Sequence, residues 1–280
     1  MEKKEKMRKI LSITFAFLLS LSLVGSLAIG VLKTTLLDKN FFLDKLEESG
    51  YTRSLHDKII EELSTEGYVS GFDEAFFSQI IDVELLKVPV LASVERIYGT
   101  GEYQAISVDE MSAKFFKEFV SSLESRGAVV DDEQKVQIEN FAKESAQYLS
   151  GNARLPFLSI GEGMMKNAKP LTTYGLIFLV AFSIFCIYFI ITTNPKSKES
   201  LRYLSYSLTA TALMMFIPVV LMSATGILQK VSITDKAFYD LVQIIGNDIL
   251  FAVGTVAVVT GIVSSLLTVL YFKPQKPKEN

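Results

Sequence analysis

Few side chains in this sequence have the types and spacing that catalysis or metal binding requires. His56 is the only histidine and Cys186 the only cysteine. One chain therefore offers neither a multi-histidine zinc site nor an intramolecular disulfide, and any Ser-His-Asp arrangement would have to use His56. Because His56 lies beside Asp57 in a segment with helical periodicity, we expect it to be a solvated surface residue. The sequence predicts a protein that is not an enzyme and that uses no cofactor and no metal.

The carboxylates and glycines suggest no other chemistry. The chain has 31 aspartates and glutamates, and none of them forms a pair that stands out from the charged faces of ordinary helices. The alternating oxygen ligands of a calcium loop are absent. Gly99-Thr100-Gly101 lacks the third glycine and the preceding strand of a dinucleotide-binding loop. An enzyme that uses a carboxylate dyad on lipid or glycan remains the third alternative.

Four long apolar stretches must position whatever function the chain has. None of them contains an Asp, Glu, Lys, Arg or His, and each is close to the roughly 20 residues that a helix needs to cross a bilayer. They predict an all-α membrane protein with spans at residues 10–32, 171–192, 204–228 and 249–272.

The charges on either side of the spans predict the orientation. Residues 1–9, 193–203 and 273–280 together carry 11 basic and 4 acidic side chains, whereas 33–170 carries 15 basic and 24 acidic ones. Lysine and arginine in short loops stay on the cytoplasmic side. We therefore expect a multi-pass cell-membrane protein with both termini in the cytoplasm, and with 33–170 and the 229–248 loop outside. The acidic outer segment would repel nucleic acid.

The first apolar stretch allows a second interpretation. It follows a basic N-terminus, and Ser26-Leu27-Ala28 resembles a signal-peptidase site. The apolar run before Ala28 is longer than the usual signal-peptide core, so we favour an uncleaved anchor. Either interpretation exports the segment that follows.

Residues 33–170 show helical rather than strand periodicity, which predicts an extracytoplasmic domain of five or six helices. The clearest helix begins after Ser107, where Ser107 and Glu110 match a capping box, and we expect Gly99 to end an earlier one. The Gly151–Pro170 segment contains two prolines and three glycines. These residues predict a linker without a long helix before the second span.

The 229–248 loop contains a short amphipathic pattern. Ser232 and Asp235 are typical of a helix start, and Gly246 is placed to end that helix. Because the lysines and acids of the loop nearly balance, attraction to lipid headgroups explains the helix poorly. We expect it to dock against the outer domain through its apolar stripe, which consists of Phe238, Leu241, Val242 and Ile245.

Small residues repeat in two of the spans. Ser22, Ser26 and Gly30 in the first span, and Ala257, Gly261 and Ser265 in the fourth, recur at every fourth position. Such spacing allows helix backbones to approach each other closely, so these six residues are candidates for helix packing.

The order of the segments resembles that of bacterial ABC permeases of the mechanotransmission type, which have one span, a large extracytoplasmic domain and three more spans. Those domains contain strands, whereas this one is predicted helical, and 193–203 is short for an ATPase-coupling helix. The residues Leu37-Asp38-Lys39-Asn40-Phe41-Phe42, the Gly50-Tyr51 pair and the Ile106-Ser107-Val108-Asp109 helix entry are similar to those of a group of uncharacterised bacterial membrane proteins. That group has a helical domain after the first span, and the resemblance implies no activity.

Two hypotheses for the function follow. The first is a binding or sensing module of the cell envelope that recognises a protein partner through 33–170 or through its spans. The second is a membrane subunit of a transport complex of the ABC-permease kind. The spans lack the ionisable groups that proton-coupled carriers and pumps use, so transport by this chain alone is disfavoured.

Overall fold

The computed structural model of the chain describes residues 2–194 and 196–272. The predicted cytoplasmic tail, 273–280, lies outside the described residues. Across those two ranges the chain forms ten α-helices and two short 3₁₀ turns and no strand, so the all-α prediction is confirmed. In chain order the helices are α1 (Glu2–Thr34), α2 (Lys39–Glu48), α3 (Tyr51–Gly67), α4 (Glu74–Ile80), α5 (Val83–Tyr98), α6 (Val108–Ser125), α7 (Asp132–Asn152), α8 (Leu158–Thr193), α9 (Ser197–Thr225) and α10 (Lys236–Phe272).

Four of these helices, α1, α8, α9 and α10, are long and apolar enough to cross a membrane. They contain the first, second and fourth predicted spans whole and the third, 204–228, as far as Thr225, so the chain is a multi-pass membrane protein. The described residues divide into two compact units. One, here called the helical domain, comprises Lys39–Asn167 and Ile233–Val242, and the other, the span unit, contains the remaining described residues.

Local capping signals explain where the helices of the domain begin. The Ser107 side chain accepts a hydrogen bond from the Glu110 amide at the start of α6, and Asp131 and Gln134 form a complete capping box at the start of α7. Gly99 ends α5 in the left-handed conformation, with φ of 69°. The six helices α2–α7 agree with the predicted five or six.

Six phenylalanines form the centre of the helical domain. Phe119 on α6 has no exposed surface, and its ring centroid lies 4.5 Å from that of Phe72 and 5.1 Å from that of Phe141. Rings at such separations interact favourably beyond the burial of their area. We call this set the phenylalanine cluster; its members are Phe72, Phe76, Phe77, Phe115, Phe119 and Phe141.

The expected linker before the second span is wrong, because α8 runs unbroken from Leu158 to Thr193 and includes Pro170. Glycine costs a helix only about 1 kcal/mol per residue. At Gly161 it also permits close packing, since a Cβ there would lie 3.2 Å from Ile97 Cγ1. The glycine is therefore used for packing and does not stop the helix.

The expected break at Gly246 is also wrong. The amphipathic segment and the fourth span form one helix, α10, from Lys236 to Phe272. A Cβ at Gly246 would lie 3.0 Å from Leu228 Cδ1. This glycine too serves a close approach inside its own unit.

Candidate functional site

Hydroxyl groups join the helices of the span unit. Ser22 on α1 donates to the Leu179 carbonyl on α8 at 2.9 Å, and its oxygen lies 2.5 Å from that of Ser183. Ser22 has a single hydroxyl proton, so the two bonds form together when Ser183 donates to Ser22. Ser207 and Thr211 on α9 donate to α1 carbonyls, at Ala16 and Ser20. Polar contacts of this kind hold membrane helices together where no hydrophobic driving force acts between them.

The contact between α9 and α10 has the same chemistry. The hydroxyl oxygens of Ser205 and Thr268 lie 2.5 Å apart, and those of Thr209 and Ser264 lie 2.7 Å apart. Ser264 also donates to the Ser205 carbonyl at 3.1 Å. The buried side of α10 thus includes Ser264 and Thr260, which were not among the candidate packing residues.

The candidate packing residues occupy different environments. In α1, Ser22 is buried, the Ser26 hydroxyl returns to the Ser22 carbonyl, and no atom outside the helix lies within 4 Å of a Cβ added at Gly30. The residues of the fourth span also differ. Ala257 is buried, a Cβ at Gly261 would lie 3.8 Å from that of Ala212, and Ser265 is exposed with its hydroxyl bonded to the Gly261 carbonyl.

Cys186 lies in an apolar cluster of the span unit with Ala16, Leu19, Ile190 and Tyr203. It is fully buried there. A buried free cysteine in such surroundings behaves as a small apolar side chain.

Polar contacts also join α1 to the short connection between α8 and α9. Asn194 donates to the Ser12 hydroxyl at 2.8 Å, and Arg8 donates to the Glu199 carboxylate at 3.0 Å. The Asn194 carbonyl accepts from Ser200. Three residues of the predicted cytoplasmic turn, Asn194, Glu199 and Ser200, therefore make contacts inside the span unit.

The start of α10 belongs to the helical domain, and this junction is the candidate functional site. Lys58 on α3 donates to the Asp235 carboxylate at 2.6 Å, and the same carboxylate accepts from the Phe238 amide as the N-terminal cap of α10. The Phe238 ring centroid lies 5.0 Å from that of Phe157. Leu241 has no exposed surface. We call this set of contacts the α10 junction.

Of the four residues of the predicted docking stripe, Phe238, Leu241 and Val242 fall within the helical domain, whereas Ile245 falls within the span unit. Apolar contacts supply most of the stabilisation at the junction. Burial of a leucine contributes about 2 kcal/mol, whereas a partly exposed ion pair contributes about 0.5 kcal/mol. The ion pair therefore acts chiefly to fix the register of α10 on α3.

A polar cavity of about 210 Å³ adjoins the ion pair inside the helical domain. Its lining includes Tyr51, Lys58, Tyr148, Arg154 and Asp235. Burial raises the pKa of Tyr51 above its usual range, and the negative charge of Asp235 adds to the shift. Burial is also the main cause of the raised pKa of Tyr148. Both phenols therefore stay neutral at neutral pH, and the cavity presents hydroxyl groups, two cations and the Asp235 carboxylate that pairs with one of them.

The ion pair is expected to be sensitive to pH at both extremes. Burial alone would raise the pKa of Asp235, but hydrogen bonds from Lys58 and the Phe238 amide lower it below its ordinary value. The hydrogen bond to Asp235 raises the pKa of Lys58. A lowered acid pKa stabilises the folded state above about pH 4, and this stabilisation disappears as the pH falls through the folded value. A raised lysine pKa stabilises below about pH 10.4, and that stabilisation disappears as the pH rises through the folded value.

We expect Asp235→Asn to weaken the α10 junction by about 0.5–1 kcal/mol at neutral pH, because asparagine keeps the helix cap but not the charge. The measurement is amide exchange protection at Phe238 and Tyr239, in the full chain. Asp131→Asn is the matched control, since Asp131 caps α7. If Asp235→Asn reduces the protection of the first amides of α10 no more than Asp131→Asn reduces that of the first amides of α7, the charge of Asp235 does not stabilise the junction.

His56 is not the solvated residue that its position on a helix suggested; that expectation is wrong. Its side chain is 12% exposed. Its Nε2 lies 3.0 Å from the Ile81 carbonyl and its Nδ1 lies 3.0 Å from the Asp57 carboxylate. Both partners are acceptors, so the imidazolium form donates to both and the neutral form to only one. The histidine ties α3 to the chain at the end of α4, where Lys114 also donates to the Ile80 carbonyl.

Among the described residues, no group of three or more His, Cys, Asp or Glu side chains has the arrangement of a metal site. Residues 2–194 and 196–272 define the class of protein: a multi-pass α-helical membrane protein with a helical domain that includes the start of its last helix, α10. No family model, curated protein or solved structure matches the chain.

Proposed function

We propose that this protein is a non-enzymatic binding or sensing module of the bacterial cell envelope. In this proposal the helical domain lies outside the cell membrane and recognises a protein partner, and both termini lie in the cytoplasm. The distribution of charge supports this orientation. The segments assigned to the cytoplasm are strongly basic and those assigned to the outside are acidic.

The observation that carries the proposal is the continuity of α10. Its N-terminal cap, Asp235, pairs with Lys58 on α3, and its Phe238 contacts Phe157 in the turn before α8. The same helix continues as the last span to Phe272. Helix α8 likewise begins in the domain at Leu158 and continues to Thr193. A partner that alters how the domain holds α10 would therefore act directly on a helix that crosses the membrane.

The first experiment tests the side of the membrane. In a Cys186→Ala background, single cysteines at Val69 and at Ser197 are treated with a membrane-impermeant maleimide in intact cells. Val69 is 96% exposed, and Ser197 begins α9. We expect labelling of Val69→Cys in intact cells and of Ser197→Cys only after permeabilisation. The reverse pattern would overturn the proposed orientation.

The second experiment tests the class of function. The tagged full chain, expressed at its native level, is purified in mild detergent, and the copurifying proteins are identified by mass spectrometry. Envelope proteins that are lost when residues 39–167 are deleted, while the spans still insert, would support recognition by the domain. A cytoplasmic ATPase that is retained after this deletion would instead support the transport-complex hypothesis.

A further inference from the structure

Two loops of the helical domain expose apolar side chains at one place. The first follows α3 and contains Tyr68 and Val69, which are 78% and 96% exposed, and the second joins α6 to α7 and contains Val129, which is 88% exposed. Arg126 joins the loops, because its Nη1 donates to the Gly71 carbonyl at 2.8 Å. Single exposed apolar side chains are ordinary, but three of them on two loops that contact each other form a patch, and such patches mark binding sites.

A cavity of about 290 Å³ opens beside these loops. Its floor is formed by Phe72 and Phe141 of the phenylalanine cluster, and its rim carries the hydroxyl of Ser70 and the amides of Gln134 and Gln137. This volume is at the lower end for small-molecule pockets. It suits a single large apolar side chain, with the Ser70 hydroxyl, the Gln137 amide and the Gln134 Nε2 group placed to bond the peptide backbone on either side. The Gln134 Oε1 already accepts from the Asp131 amide. We call the cavity and the three exposed side chains the tip surface.

The charge around the tip surface indicates the charge of the partner that would bind there. Residues 66–74 and 124–135 contain seven acidic and two basic side chains. The two basic ones are already engaged, Arg126 with Gly71 and Lys135 with Asp132 at 3.1 Å. The N-termini of α4 and α7 offset only about one unit of this negative charge. Anionic lipid and nucleic acid would therefore be repelled, and a cationic partner would be attracted.

We propose that the tip surface binds a cationic amphipathic segment of a partner protein, which inserts one large apolar side chain between the two loops. This inference rests on the proposed binding function and names the partner chemistry. The apolar anchor supplies most of the affinity from within the cavity. The surrounding acids speed the encounter and make it dependent on salt.

The test uses the full chain in phosphatidylcholine nanodiscs, which carry no net charge. The probe is a helical leucine–lysine peptide of about five turns, compared with leucine–glutamate and leucine–glutamine peptides of the same length. We expect the lysine peptide to bind in a salt-dependent manner and the glutamate peptide not to bind. Asp132→Lys/Glu133→Lys should weaken binding of the lysine peptide by about tenfold or more, and Val69→Ser/Val129→Ser should also weaken it.

The chain offers a close control for the charge reversal. Asp109 and Glu110 are exposed acids in the first turn of α6, as Asp132 and Glu133 are in the first turn of α7. Asp109→Lys/Glu110→Lys thus makes the same change of charge in the first turn of a helix, at the far end of α6 from the tip surface. Val88→Ser, at a 56% exposed position on α5, is the control for the apolar change. All four variants alter exposed side chains, and circular dichroism checks that each is folded.

Three results would overturn the proposal. The first is equal weakening by the control and tip charge reversals, which would show non-specific attraction to an acidic domain. The second is binding of none of the peptides, or of the glutamate peptide alone, which would exclude a cationic partner. The third is tip-dependent binding to phosphatidylserine vesicles without peptide binding, which would assign the surface to a membrane. Each leaves the copurification test of the binding function to be judged separately.

Discussion

Phe119→Ala is expected to destabilise the helical domain by about 3–5 kcal/mol, the usual cost of removing a buried aromatic ring. Phe119 is fully buried and contacts the rings of Phe72, Phe76 and Phe141, with centroids 4.5, 5.5 and 5.1 Å away. Substitution by alanine leaves a cavity. The surrounding side chains lie on different helices and cannot move far enough to fill it. Because a domain is typically stable by only about 5–15 kcal/mol, a large part of the stability would be lost.

The measurement is pulse proteolysis of the full chain in detergent across a urea series, because the chain has no tryptophan to report unfolding by fluorescence. We expect the midpoint for cleavage within 39–167 to fall sharply while the spans stay protected, since the two units have separate interiors. Phe119→Leu retains apolar volume and should cost less. Val69→Ala, at an exposed position, should change the stability by less than about 0.5 kcal/mol. A cost below about 1 kcal/mol for Phe119→Ala would show that the phenylalanine cluster is not tightly packed.

The parts of this fold that could be predicted are those with a strong local cause. A charge-free run of some 20 apolar residues has few stable structures other than a membrane-crossing helix. The helix starts after Ser107 and Asp131, and the end at Gly99, follow from hydrogen bonds between neighbours in sequence. Such signals act before any tertiary contact forms, so the sequence alone reveals them.

The errors came from residues whose role depends on distant partners. Glycine is common at helix ends, yet Gly161 and Gly246 each lie inside a helix. The missing side chain leaves room for Ile97 beside Gly161 and for Leu228 beside Gly246. His56 has the spacing of a surface residue, yet a carbonyl 25 residues later accepts its hydrogen bond. No local pattern identifies that carbonyl, because it becomes a neighbour only after α3 and α4 have packed together.

The candidate sites show the same division. The sequence identified Asp235 as a helix start. It could not identify Lys58 as the partner of Asp235, because exposed helical faces offer many other lysines and acids. The tip surface did leave a signal in the sequence. Tyr68-Val69 lies between Gly67 and Gly71, and Ala128-Val129-Val130 lies between Gly127 and Asp131. Apolar residues in turns of this kind have no core to enter, which indicates a surface for binding.

Small residues in the spans could not by themselves reveal which helix faces meet. The fourth span has small or hydroxylic residues at Thr260, Gly261, Ser264 and Ser265, so two adjacent faces of the helix are equally plausible in sequence. The structure buries Thr260 and Ser264 and exposes Ser265. The choice depends on the hydroxyl partners that α9 presents, among them Thr209 at 2.7 Å from Ser264.

The second large effect is expected at Ser22 on α1, which is buried between helices as Ser264 is. Ser22→Leu should destabilise the contact between α1 and α8 by about 2–4 kcal/mol, because it forces extra volume between packed helices and removes the partner of Ser183. Ser22 is 2% exposed and Ser183 is 6% exposed, so neither side chain has room to move away. Ser22→Ala removes only the hydroxyl, with its two bonds, and should cost about 1 kcal/mol, since one such bond in a membrane is worth about 0.6 kcal/mol.

The measurement is unfolding of the full chain by sodium dodecyl sulfate in mixed micelles, followed by circular dichroism. Ser265→Leu is the matched control, since it makes the same change at an exposed position whose hydroxyl bonds only within α10, to Gly261 at 2.9 Å. It should leave the unfolding midpoint nearly unchanged. If Ser22→Leu prevents folding, Ser22→Ala still tests the contact. We expect Ser22→Ala to lower the stability slightly and Ser265→Ala to leave it unchanged. Equal effects at Ser22 and Ser265 would mean that α1 does not pack on α8 through this face.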